Sequence, residues 1–292
     1  MPTPNGRALS NLAARDDAIQ QAMAALRANR ADQAEHIGRA VLAANPNDPD
    51  ALHVIGISLL ARQRWSEAVE PLQEAAGACC DPIMETHCAL AFRQSGRLRD
   101  ALTWLERAAS REPVYPQALL ELGVVLCAMQ RYDDAEAALQ RGLRHDPNAV
   151  EMLVELGGVY ICRAEPANAN AAFTRALARV PAHPRALHGL GTALLFEGAF
   201  ARAADCFRRV LALQPNHVRA LLDLAHSLFE LGQHDEALMH LRTLVAAMPE
   251  HYSKALHVVV SSGRGRFWLR PSAAAAALKP HAAATETRGN IH

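Results

Sequence analysis

Histidines 183, 217 and 251 stand at a fixed interval of 34 residues, and ten of the 14 histidines lie from His183 onward. A row of imidazoles could hold a transition metal or titrate near neutrality. The interval argues against a shared ion, because helices of successive stacked units lie about 10 Å apart. A turn that merely accepts polar residues explains the row, and His145 falls in a different phase. The six cysteines carry less chemistry still. Cys79 and Cys80 are adjacent, Cys88, Cys127, Cys162 and Cys206 are scattered, and no C-x-x-C pair occurs. Asp81 beside Cys80 disfavours a thiolate, and Cys162 has no histidine at a local spacing that would activate it. These spacings suit neither a disulfide framework nor zinc, so the cysteines read as small core filler.

Two further groups could be read as reactive. Glu121 and Glu155 could form an acid/base pair, although solvated charges that select a partner are commoner on such faces. Near the C-terminal end, Gly263-Arg264-Gly265-Arg266 precedes Phe267-Trp268-Leu269-Arg270, a pattern open to a phosphate nest or a basic–aromatic contact with nucleic acid. It follows no strand and fits no nucleotide fingerprint, so a cap covering the end of the last unit is the simpler reading. No catalytic residue, metal or cofactor is expected.

The elements that must position these residues follow from the periodicity. Pro113, Pro147, Pro181, Pro215 and Pro249 are each 34 residues apart, as are Ala101, Ala135, Ala169, Ala203 and Ala237. Gly123, Gly157 and Gly191 keep the same register. Units therefore begin near 15, 49, 82, 116, 150, 184 and 218, the second being one residue short. Within each, apolar residues recur at helical spacing, as at Leu119, Leu122, Val125, Leu126 and Met129. A break such as Gln130-Arg131, Glu197-Gly198 or Leu231-Gly232 follows, and a second amphipathic stretch runs to the proline. Each unit is predicted to be a helical hairpin, with small residues where its helices cross and a proline stopping the second helix.

In the fifth unit Leu153, Leu156, Gly157, Tyr160, Ala169, Phe173, Ala176 and Pro181 stand at the offsets of a tetratricopeptide repeat. The sixth follows with Leu187, Leu190, Gly191, Ala203, Phe207 and Pro215, while the first is the most degenerate, with Gly38 and Val41 where Phe and Ala are usual. Over about residues 15–251 the chain resembles that family. The resemblance implies an all-α, right-handed superhelical solenoid of about seven tetratricopeptide hairpins with a C-terminal capping segment. It also implies a concave groove, lined by first helices, that binds peptides or partner proteins.

Read at the positions that usually face such a groove, the lining comprises Leu120, Glu121, Val124, Val154, Glu155, Ile161, Arg185, Phe196, Arg219 and Phe229. The apolar residues would supply contact, and Glu121 and Glu155 would select basic neighbours. Glutamates in the fourth and fifth units weaken a clamp for a terminal carboxylate. The row that would carry an asparagine ladder in sugar-transferase members reads Val54, His87, Glu121, Glu155, Gly189 and Asp223. The expected partner is thus an amphipathic or hydrophobic segment of a protein or peptide.

Composition agrees. Half of the residues are hydrophobic, which excludes a disordered chain, and a net charge of zero argues against nucleic acid as the partner. No signal-length apolar run occupies Met1 to Asp17, no stretch is long enough for a membrane span, and the reduced cysteines suggest a cytoplasmic protein. The chain is expected to divide into a lead (1–14), the repeat solenoid (15–251), capping helices (252–280, with Ser272 as an N-cap) and a flexible tail (281–292). A non-catalytic scaffold or adaptor is the main functional expectation. The alternatives are a repeat arm serving a separate glycosyl- or sulfo-transferase chain, and a self-assembling protein whose groove takes another copy's N-terminal segment.

Overall fold

The computed structural model describes residues 4–261 and 271–278, which fall into two compact units, 1–147 and 148–292. The first contains α1 (Pro4–Arg27), α2 (Ala31–Ala44), α3 (Pro49–Ala61), α4 (Trp65–Ala78), α5 (Pro82–Gln94), α6 (Leu98–Ala109), α7 (Pro116–Ala128) and α8 (Tyr132–His145). The second contains α9 (Val150–Cys162), α10 (Pro166–Arg179), α11 (Pro184–Phe196), α12 (Phe200–Leu213), α13 (Val218–Glu230) and α14 (His234–Ala247). A 3-10 turn (Pro249–His251), α15 (Tyr252–Ser261) and α16 (Pro271–Ala277) complete it. Within each unit helices pack in chain order as hairpins, and each first helix also touches the first helix of the next hairpin, as α3 does α5 and α11 does α13.

Sequence dictates where these helices start. Pro49, Pro82, Pro116 and Pro184 occupy the first helical turn, where a missing amide hydrogen costs nothing and φ is already set. Asp48 caps α3 by accepting from the Ala51 amide at 3.0 Å, and Asp81 caps α5 from Ile83 at 2.8 Å. The turn inside each hairpin is equally regular. Asn29, Gln63, Gly96, Gln130, Ala164, Gly198 and Gly232 all have φ between 56° and 78°. Each is followed by an amide that reaches back to the helix, as Glu165 N–H does to the Tyr160 carbonyl at 2.9 Å and Gln233 N–H to Leu228 at 2.8 Å. This left-handed closure satisfies carbonyls that the helix end would otherwise leave bare. Second helices end shortly before the repeated prolines, as α10 does at Arg179 ahead of Pro181.

Packing explains the repeated small residues. Ala68, Ala101, Ala135, Ala169, Ala203 and Ala237 are fully buried on the second helices. Opposite them, a Cβ built on Gly123 would lie 2.6 Å from Leu139 Cγ, and one on Gly157 would lie 2.6 Å from Phe173 Cζ. The Phe173 ring is enclosed from a second side, since a Cβ on Gly189 would come within 2.3 Å of it. Glycine at 189 is therefore required by the ring, and the asparagine-ladder row has no side chain there for a packing reason. Charged residues brace the first unit. Glu85, completely buried, accepts from Arg107 at 2.9 Å and Arg111 at 2.8 Å, and Arg15 on α1 pairs with Asp48 at the start of α3 at 2.7 Å.

The ends differ from the sequence-based boundaries. Helix α1 begins at Pro4, so Arg15 lies inside a helix and not at its start. At the other end α15 and α16 cap the second unit: Leu278 is 1 % exposed within its core, and Arg242 on α14 donates to the Ala277 carbonyl at 2.7 Å. Helix α16 begins at Pro271, so Ser272 lies within its first turn and is not the N-cap. Gly263 to Arg270 and the tail 281–292 lie outside the described residues.

Two neighbouring glycines of α9 give a test of opposite signs. Alanine in a helix interior gains about 1 kcal/mol over glycine, and nothing lies within 4 Å of a Cβ on Gly158. Gly158→Ala is thus expected to raise stability by roughly that amount. Gly157→Ala must force the Phe173 ring aside at a cost of about 1–3 kcal/mol, giving a net loss that Phe173→Leu partly restores. Urea titrations of the three variants check this.

Candidate partner-binding faces

In the second unit, α9, α11, α13 and α15 lie side by side and bring several groups singled out in the sequence together. Arg185 on α11 reaches back to α9, with Nη2 2.5 Å from Glu155 Oε1 and Nη1 3.5 Å from Glu151 Oε2. Glu155 is therefore engaged by the chain's own arginine rather than standing free for a basic partner. His183 Nδ1 accepts from the Ala186 amide at 3.2 Å and so caps α11. That bond leaves the proton of the neutral ring on Nε2, which donates to Glu151 at 3.1 Å. His217 caps α13 in the same manner, accepting from Ala220 at 3.1 Å. Two members of the histidine row thus start helices, and among the described residues no group of three or more His, Cys, Asp or Glu is placed to hold a metal. Burial, aided by neighbouring His188, lowers the pKa of His217. His188 itself lies 3.0 Å from Asp223 on α13, which Arg219 approaches at 3.9 Å.

The expected apolar lining separates into two groups. Val154 and Phe229 are buried, at 3 % and 5 % exposure, because α9 and α13 turn them into the helix packing. They have no surface to offer a partner. Ile161 is half-buried, and Phe196 at the corresponding end of α11 is 63 % exposed. Arg185 and Arg219 are exposed at the opposite ends of their helices.

In the first unit Leu120 and Val124 on α7 are half-buried. Glu121 accepts from Gln117 at 3.2 Å and pairs with Arg93 of α5 at 3.3 Å, so this acid too is compensated within the chain. The same face holds a pair that motif reading missed. His53 Nε2 on α3 and His87 Nδ1 on α5 are 2.7 Å apart, with the rings stacked at 5.0 Å between centroids. Their common spacing of 34 was visible, but the short second unit moves them to different repeat positions. One N–H links the two rings, and the acceptor nitrogen it needs exists only on a neutral imidazole. Burial lowers His53, and burial together with His53 lowers His87 to about 4.

No nucleophile is activated among the described cysteines with a shifted pKa. Burial pushes the Cys88 thiol up to about 12 and raises Cys206, while Cys79 is raised by burial and by Asp50. No described helix is long and apolar enough to cross a membrane.

The fold and these faces define a helical-repeat protein of the kind that scaffolds contacts between proteins. Two tetratricopeptide repeat profiles match, one over residues 92–156 and 194–257 and the other over 19–80 and 163–215. The chain belongs to the tetratricopeptide repeat family. No curated protein matches the chain. Among solved structures it is similar to the Cut9-Hcn1 hetero-tetramer of the APC/C (TM-score 0.69, 18% identity), covering 82% of this chain and 47% of that one. The chain thus spans about half the length of that relative. PilF of Pseudomonas aeruginosa follows at TM-score 0.61 and 20% identity, covering 69% and 92% of the two chains. YrrB, described as a tetratricopeptide protein with an unusual peptide-binding site, matches at TM-score 0.54 and 22% identity, covering 65% and 98%. At these identities the likeness establishes the fold.

The histidine pair sets a pH dependence. A histidine whose pKa is lower folded than unfolded binds its proton more readily in the unfolded chain, so stability falls as pH drops below the unfolded value near 6.5. For His87 that loss extends down to its folded value of about 4. Denaturant midpoints measured from pH 7 to 4 are expected to decline, and His87→Leu to flatten the upper part of the decline. An unaltered slope in the variant counts against the pair as its source.

Proposed function

We propose that this chain is a non-catalytic adaptor that holds an amphipathic or hydrophobic segment of another protein against the first-helix face of the second unit. The observation that carries this reading is the exposed ring of Phe196, 63 % accessible, with half-buried Ile161 at the same end of the neighbouring α9. A large apolar side chain left in water by a chain that buries Phe92, Phe173, Phe207 and Phe229 favours a partner surface. Covering such a ring contributes about 1.5–3 kcal/mol, enough to act as an anchor. The neighbouring charges support the reading differently from the sequence-based expectation. Because Arg185 already faces Glu151 and Glu155, it offsets one of the two acids, and the face selects chiefly by shape and apolar contact. The family's general use as a protein-interaction scaffold agrees, with residues 15–251 as the binding repeats and the cytoplasm as the setting.

Replacing both Ile161 and Phe196 by Asp is expected to reduce partner recovery at least tenfold in a pull-down read by mass spectrometry, since each change buries a charge at the contact. Both residues have solvent access, so helicity by circular dichroism is expected to remain that of the parent. Undiminished recovery by a folded double variant places the binding surface elsewhere.

A further inference from the structure

Beside α13, the second unit has an open cleft of about 590 Å³ whose other wall is α15. Its floor is apolar, formed by Val218 and Leu222 from α13 and Val258 from α15. Its lining carries a positive charge on each wall, Arg219 on one and Lys254 on the other. Among the described residues Lys254 has no hydrogen-bond or ion-pair partner, and the Arg219 side chain is 76 % exposed. The cleft has one acid, Asp223, and its carboxylate is already held by His188 at 3.0 Å, with Arg219 at the outer limit of pairing at 3.9 Å. This contrasts with the α9–α11 face, where Arg185 meets both Glu151 and Glu155.

We infer that this cleft binds an acidic segment of a partner protein, with side-chain carboxylates on Arg219 and Lys254 and an apolar side chain on the floor between them. Three points lead to this occupant. The positive groups come from both walls, so they meet carboxylates spaced along a segment rather than one isolated anion. Val218 and Leu222 are one helical turn apart, as are Lys254 and Val258, so the lining extends along each wall and matches a short stretch of peptide. The lining includes Val218, Leu222 and Val258, apolar surface that a free inorganic anion would not use. Electrostatic complementarity of this kind selects among partners and speeds their encounter. The inference rests on the adaptor reading and adds to it the charge of the partner at the α13–α15 end.

The test uses the full chain and two fluorescein-labelled, C-terminally amidated peptides of about 12 residues, one patterned with Glu and Leu at helical spacing and the other with Lys replacing every Glu. Amidation removes the terminal carboxylate, so binding reports side chains. In fluorescence anisotropy the Glu peptide is expected to bind at least tenfold more tightly than the Lys peptide. Raising salt should weaken it, because rim charges are screened. Arg219→Glu with Lys254→Glu is expected to lower its affinity at least tenfold with helicity unchanged, and Lys254→Arg to retain it. Equal binding of both peptides, absent binding of the Glu peptide, or an unaffected charge-reversed variant overturns the inference. If the Glu peptide fails while the chain still captures a partner that the Ile161→Asp, Phe196→Asp variant loses, the cleft assignment falls and the adaptor reading stands. Capture of no partner by the parent chain instead removes the adaptor reading.

Discussion

Close approach of the two helices in each hairpin is the constraint from which the rest of the structure follows. At four of the crossings one helix has glycine, with no Cβ, and the other inserts a ring or a leucine, as Leu72 does against Gly56, Leu139 against Gly123, Phe173 against Gly157 and Phe207 against Gly191. Fully buried alanines at a fixed place on the second helix complete the contact. Interiors are packed to crystal-like density, so an added methyl group at such a crossing must displace its neighbour. Once the crossing is fixed, so is the face each first helix presents, and with it the side chains that meet partners.

Periodic features of the fold could be read from the sequence because each is set by a local rule repeated several times. Prolines start and follow helices, and the left-handed turn recurs at one place in every hairpin even where Gln63, Gln130 or Ala164 replaces glycine. The lining of the faces was less legible, because it depends on pairs distant in sequence. Glu155 reads as a free acid in the sequence, yet Arg185, 30 residues on, lies against it. Val154 and Phe229 occupy positions that a helical repeat offers to a groove, yet packing by the adjacent helices buries them. The pairing of His53 with His87 was hidden because a single missing residue in the second unit shifts the register between them.

Histidine shows how one residue type takes different roles under the same chemistry. At 183 and 217 the ring nitrogen replaces the Asp oxygen that caps α3 and α5, starting a helix without adding a negative charge. At 53 and 87 two rings satisfy each other inside the first unit. The bond between those two rings needs at least one of them neutral, since an imidazolium has no acceptor nitrogen.

The small closing element at the end of the second unit has a consequence for how the chain opens. Stability in stacked repeats is a sum of hairpin terms and neighbour contacts, so loss of a neighbour exposes the next interface. Helix α16 has seven residues, with Leu278 in the core and Arg242 on the carbonyl of Ala277 as its described attachments. Release of α16 would expose α15, so amide exchange in α14 and α15 is expected to follow it. The α13–α15 cleft lies within that outermost layer, so an occupant bridging its two walls would act as a latch on the repeats behind it.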